Sequence, residues 1–246
     1  MGFFDKLFKK NEPEHPVQEI DKAAVPVYPM IKMGEWQGMS LAKSLPFVMN
    51  GDQLDLAIVF AQDAGDRFQY ILETDLQQPD IAENFNRWQH NINEYPYEIE
   101  LGDTLQNRVI FASGEDHASE KILSAAFLSD ACQTLNTDKL VISIPRRRCL
   151  MITRYDEDFE LLETFFRLHF IAWREEDYGN EPITEMVFIA DKNKVRYAVP
   201  LGFRINIYEK DGQKVLNYVT AGELFDENDQ INFQKIMEKN KIPVSI

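Results

Sequence analysis

The stretch 139–173, KLVISIPRRRCLMITRYDEDFELLETFFRLHFIAW, decides the fold class. KLVISIP (139–145) and RCLMIT (148–153) are short apolar, β-branched runs on either side of a basic corner, which predicts a β-hairpin. DEDFELLETFFRLHFIAW (156–173) follows with apolar residues at helical spacing behind an acidic first turn, which predicts a long helix whose start suits the helix dipole. The same layout stands upstream. LDLAIVFAQ (54–62), the turn DAGD with Gly65, and RFQYIL (67–72) predict a hairpin. PDIAENFNRWQHNIN (79–93) predicts a helix, with Asp80 as N-cap, Glu83 three residues on, and Ile81, Phe85, Trp88 and Ile92 on one face. The two units share little residue identity, so duplication and chance recurrence both remain open.

Working outward, RVIFAS (108–113) is a strand candidate. DHASEKILSAAFLSDACQTL (116–135) is a helix candidate, with Asp116 as N-cap and Glu120 complementing the dipole. ITEMVFIA (183–190) and VRYAVP (195–200) are two strands joined by DKNK. Residues 206–209 and 215–219 form a further hairpin around KDGQK, and a last amphipathic helix is expected near 230–239. Residues 23–50, with three prolines and two glycines, predict an irregular lead-in with short extended pieces. The expected fold is α+β: a mixed or largely antiparallel sheet built from hairpins, with three main helices packed on it. Three regions follow. Residues 1–16 hold an amphipathic peptide and a proline-bearing linker, 17–200 the main domain, and 201–246 a hairpin-and-helix extension packed on that domain.

Composition bounds the class. The chain has 246 residues, 44% hydrophobic and 27% charged, close to soluble averages. No run approaches the roughly 18 apolar residues of a membrane span, and no secretory signal is visible. The two cysteines, Cys132 and Cys149, read as reduced thiols of a cytoplasmic protein. Net charge is −15 and unevenly spread: between Lys43 and Arg108 stand twelve acids against Arg67 and Arg87 alone. Such a surface repels phosphate backbones, so no nucleic acid is expected as partner. It is either a solubilising face or a docking surface for a basic partner.

Six segments carry a resemblance. VYPMIK (27–32), LPFV (45–48), VFAQDAGDRFQYI (59–71), ASEKIL (118–123), LVISIP (140–145) and EPITEMVFI (181–189) stand in the order found in the YtpQ-like family, uncharacterised bacterial proteins built on a domain of unknown function. The chain resembles that family over roughly 27–200. It departs from it in a shorter N-terminal segment, a longer C-terminal one, and the triple arginine. The resemblance implies a cytoplasmic bacterial protein and supplies no reaction and no catalytic residues.

Direct chemical motifs are few. There is no HExxH, no paired His/Cys spacing, no EF-hand loop and no phosphate-binding glycine loop, so neither a metal nor a cofactor is implied. Cys149, after three arginines, has the surroundings of a reactive thiolate, against the plainer reading of a buried strand residue. His169, on the face of Leu162, Phe165, Phe166 and Trp173, reads as a hydrogen-bonded core residue. Arg146, Arg147 and Arg148 form the dense basic cluster. At a hairpin tip their guanidinium groups would splay outward to clamp an anion or a partner carboxylate, or pair with the chain's own acids. The N-terminal MGFFDKLFKK separates Phe3, Phe4, Leu7 and Phe8 from Lys6, Lys9 and Lys10 around a helix. Too short to stand alone, it needs the chain's own core, a partner groove or an anionic membrane surface. The reading that these features favour is a non-catalytic protein-interaction or regulatory module with an acidic surface and an unknown protein partner. The alternatives are an enzyme with an unrecognised site and a peripheral membrane protein anchored by residues 1–10.

Overall fold

The computed structural model describes residues 20–65, 67–113, 116–174, 180–210, 213–220 and 232–245, the strands within 203–220 by their backbone path. The predicted N-terminal helix and linker, with Phe3, Phe4, Lys6, Leu7, Phe8, Lys9 and Lys10, lie outside the described residues.

The first sheet is built from β1 (Val27–Met33), β2 (Ser44–Asn50), β3 (Gln53–Asp63) and β4 (Phe68–Tyr70), in the order β1-β3-β2 with β4 also on β3. The second is seven-stranded. It joins β5 (Glu98–Leu101), β6 (Val109–Ser113), β7 (Leu140–Ser143), β8 (Leu150–Arg154), β9 (Val187–Ala190), β10 (Val195–Val199) and β13 (Ile242–Pro243) in the order β13-β10-β9-β7-β8-β6-β5. β11 (Phe203–Lys210) and β12 (Gln213–Thr220) form a separate two-stranded hairpin. Every one of these pairings is antiparallel. The helices are α1 (Pro79–Phe85), α2 (Trp88–Glu94), α3 (Ala125–Leu135), α4 (Phe159–Arg174) and α5 (Phe233–Lys239). The fold is α+β.

The central strands LVIS, LMIT and VFIA are apolar without alternation because both faces of their sheet are covered. Ile110, Leu140, Ile142, Leu150, Ile152 and Phe188 face one core, shared with α3 and with Phe47, Ile58 and Phe60 of the first sheet. Their neighbours Val109, Val141, Met151, Val187 and Ile189 face the other, under Leu162, Phe165, Phe166 and Phe170 of α4 and Phe233 and Met237 of α5. The period of two along each strand sorts residues between the two cores. The sheets meet where Phe47 stacks on Phe188 at 5.5 Å and where Ser245 N–H donates to Phe47 O at 3.0 Å, beside a Val48–Val244 bridge.

Three details depart from the sequence reading, and a fourth adds to it. First, the lead-in 23–50 holds two full strands. Pro29 lies on an edge strand and Pro46 at a register shift, the two places where a sheet tolerates proline. Second, the helix predicted over 79–93 breaks at Asn86–Arg87 into α1 and α2. Gln78, not Asp80, is the N-cap of α1, with Pro79 in its first turn. Third, the helix predicted from Asp116 starts only at Ala125, where Ser124 Oγ accepts from Phe127 N–H at 3.2 Å. Ser119–Leu123 ahead of it is a 3-10 turn. Fourth, Gly34 lets two backbones touch: a Cβ there would stand 1.7 Å from Leu54 O.

Candidate functional site

β1 lies at the edge of its sheet, and alternate residues of a strand turn their polar groups to the same side. On the free side, Val27 O accepts from Asn91 Nδ2 at 3.0 Å. The Pro29 carbonyl faces His117 and opposes the lowering of its pKa. Ile31 N–H donates to Glu120 Oε1 at 3.1 Å. Side chains of α2 and of the turn 116–124 therefore stand where a neighbouring strand would, which blocks the edge against further pairing.

The same turn is fastened on its other sides. Glu120 is fully buried, and its second oxygen accepts from Ser119 Oγ at 2.9 Å. Burial pushes its carboxyl up, against the pull of Arg147 and of the Ile31 N–H. The dipole role expected for Glu120 gives way to this strand-sealing one. Lys121 is also without exposure. Its ammonium donates to Ile92 O at 2.9 Å and to Tyr95 O, capping the end of α2, and lies 4.5 Å from the Tyr97 ring centre. Burial holds its pKa down to about 8. His117 is packed by Tyr28 at 4.6 Å, Tyr95 at 5.2 Å and Phe68 at 5.4 Å between ring centres. Burial first, then the Arg147 charge, lowers its pKa to about 4.

The three arginines do not splay together. Arg146 is 5% exposed. It donates to Ala172 O at 2.5 Å, Asn180 O at 2.5 Å and Trp173 O at 2.8 Å, capping the carbonyl end of α4. Its expected role as an outward anion contact is thereby replaced: helix-end carbonyls, unsatisfied by the helix itself, take its donors. Arg148 adopts φ +62° and donates through Nε to Asp116 Oδ1 at 2.7 Å. Arg147 lies with its guanidinium carbon 4.6 Å from the Phe68 ring centre. Its terminal nitrogen makes one long contact, 3.5 Å to Asp116 O. Arg147 and Arg148 thus meet at Asp116, while Arg146 faces into the protein.

Other candidate chemical groups are structural. Cys149 is 2% exposed, and burial pushes its thiol up to about 12, with Arg146 opposing only in part; the thiolate reading fails on desolvation. Ser143 Oγ and His169 Nδ1 are 2.8 Å apart, a nucleophile–base spacing, yet both side chains have no exposure. Burial lowers His169 to about 4, and the Glu185 carbonyl opposes that shift. Buried Glu157 accepts from Arg108 at 2.9 Å and from Arg154 at 2.6 Å at the start of α4. Among the described residues no cluster of three His, Cys, Asp or Glu side chains suits a metal, and no helix is long and apolar enough to cross a membrane.

Exposed acids gather in one part of the chain. Glu73, Asp80, Glu83, Glu94, Glu98, Glu100 and Asp103 are all exposed along α1, α2, β5 and their connections. Comparison with protein-family models, with curated proteins and with solved structures finds no match to this chain. The six segments singled out in the sequence are nonetheless stitched into one region. Ile31 bonds Glu120, Lys32 pairs with Glu181, Ile183 N–H donates to Pro145 O at 2.8 Å, Ile31 pairs with Ile58 and Met30 with Val59 across β1 and β3, and Phe47 meets Phe188. His117, Glu120 and Lys121 were missed as partners. The legible sign was three polar residues, H-x-x-E-K, inside a stretch whose apolar residues ask for burial.

Proposed function

We propose that the chain is a non-catalytic protein-interaction module of a cytoplasmic bacterial protein, akin to the YtpQ-like family, that receives a basic partner on its acidic surface. One observation carries the reading: the buried His, Lys, Glu and Arg side chains are engaged as fasteners between strands and helix ends, while between residues 73 and 103 exposed acids outnumber the one exposed base, Arg87. Groups spent in this way hold a shape. A field of one sign recruits the opposite sign by raising the encounter rate.

The experiment is affinity capture from native lysate of the source bacterium. We expect a stoichiometric, basic partner that is retained at low salt and released as ionic strength rises, since exposed pairs are screened within about 10 Å at 0.1 M. Recovery of no stoichiometric partner would count against the module.

A further inference from the structure

We propose that Arg147 is the anchor of a carboxylate-binding site, taking one carboxylate end-on from a partner segment that is otherwise neutral or basic. This rests on the interaction-module reading and names the contact within it.

Of the three consecutive arginines, two have their donors committed. Arg146 serves the end of α4 and Arg148 serves Asp116. Arg147 is half-buried, is stacked on Phe68, and among the described residues has no carboxylate within ion-pair distance. Its Nε is buried without a hydrogen-bond partner. Beside it His117 is 2% exposed, and its Nδ1 also lacks a partner. Among the described residues the one carboxylate that its charge holds down is the fully buried Glu120, with which it forms no ion pair, so the guanidinium is held in place without a carboxylate on its terminal nitrogens. The neighbouring backbone is strained to the same end: Arg148 takes the left-handed φ of +62°, a conformation costly for a side chain of this size and typical of places where geometry serves a contact.

The chemistry selects the ligand. A guanidinium fixed flat on a ring offers its planar edge, which matches the two oxygens of a carboxylate. A phosphate, with more charge, calls for further cations. Arg148, which acts on His117 together with Arg147, is already paired with Asp116. The net charge of −15 repels a polyacidic segment, so the carboxylate is a single one, as at a chain terminus. A carboxylate on a small molecule would satisfy the same edge, and the test separates the two sources.

Nitrogen–proton NMR spectra of the arginine side chains in the full chain supply that test. The Arg147 Nε–H signal should move saturably with sodium acetate, and with a neutral peptide bearing a free C-terminus. It should not move with the same peptide amidated, and inorganic phosphate at equal ionic strength should do no more than chloride. A peptide tighter than acetate assigns the site to a partner chain; equal affinity assigns it to small carboxylates. Arg147→Lys, which keeps the charge and loses the fork, should weaken binding about tenfold, and Phe68→Leu should weaken it with the arginine intact. No saturable movement in the unmodified chain, an equal response to the amidated peptide, or tighter binding of phosphate would overturn the proposal. Acetate saturation in a chain that captures no partner keeps the site and removes the module. Partner capture that is indifferent to Arg147→Lys, with no acetate binding, removes the site and keeps the module.

Discussion

Lys121 has no water contact, and its ammonium closes two carbonyls at the end of α2. Lys121→Met removes those donors and leaves the carbonyls buried and unmet, at about 1–3 kcal/mol each. Urea denaturation should therefore show a loss of about 2–5 kcal/mol, unlike substitution of any exposed lysine. The two buried histidines set an acid dependence. Both have pKa values lowered to about 4 from an ordinary 6.5, so the unfolded chain binds protons first as pH falls. Stability is then lost progressively from about pH 6.5 down to about 4, by about 3 kcal/mol for each ring. Glu120 works the other way, because its raised carboxyl pKa makes acidification favour the folded form as that group takes its proton. The charged groups around His117 are Asp116, which resists the lowering, and Arg147 and Arg148, which deepen it. Denaturation midpoints at pH 7 and pH 4.5 should differ less in His169→Gln than in the unmodified chain. Cys149, with its thiol at about 12, should react with thiol reagents only as fast as the protein unfolds, as mass spectrometry of timed labelling would show.

At the scale of elements, the chain's last helix is a structural part of the second core. Phe233 is 1% exposed and meets Phe166 at 4.9 Å and Phe159 at 5.3 Å between ring centres. Phe233→Ala should cost about 3–5 kcal/mol in equilibrium denaturation. α4 and the central strands were legible because their patterns are local: a 3.6-residue apolar period in one, unbroken β-branched runs in the others. β1 and β2 were hidden by Pro29 and Pro46, which local rules assign to loops and which an edge and a register shift accommodate. The turn 116–124 was read as helix because its partners are remote. Glu120 bonds a residue 89 positions away and Lys121 one 26 away, and no local pattern encodes such pairs. The triple arginine was visible as a cluster, but its division into an inward cap, a paired residue and an unpaired one depends on where α4 ends and where Asp116 and Phe68 arrive.

Across the whole molecule, interior polar groups and exterior charge have separate tasks. The interior ones stitch the two larger sheets to the helices packed on them, and the exterior leaves Asp80, Glu83, Glu94, Glu98, Glu100 and Asp103 exposed. That separation makes the surface alterable without harm to the fold. Glu83, Glu98 and Glu100 are exposed, and lysines at 98 and 100 keep the β5 edge charged. The most direct test of the account is the association rate of the captured partner with the unmodified chain and with Glu83→Lys/Glu98→Lys/Glu100→Lys, at low salt. The account predicts a fall of about tenfold or more in the on-rate with an unchanged denaturation midpoint. Equal on-rates in a variant of equal stability would contradict it.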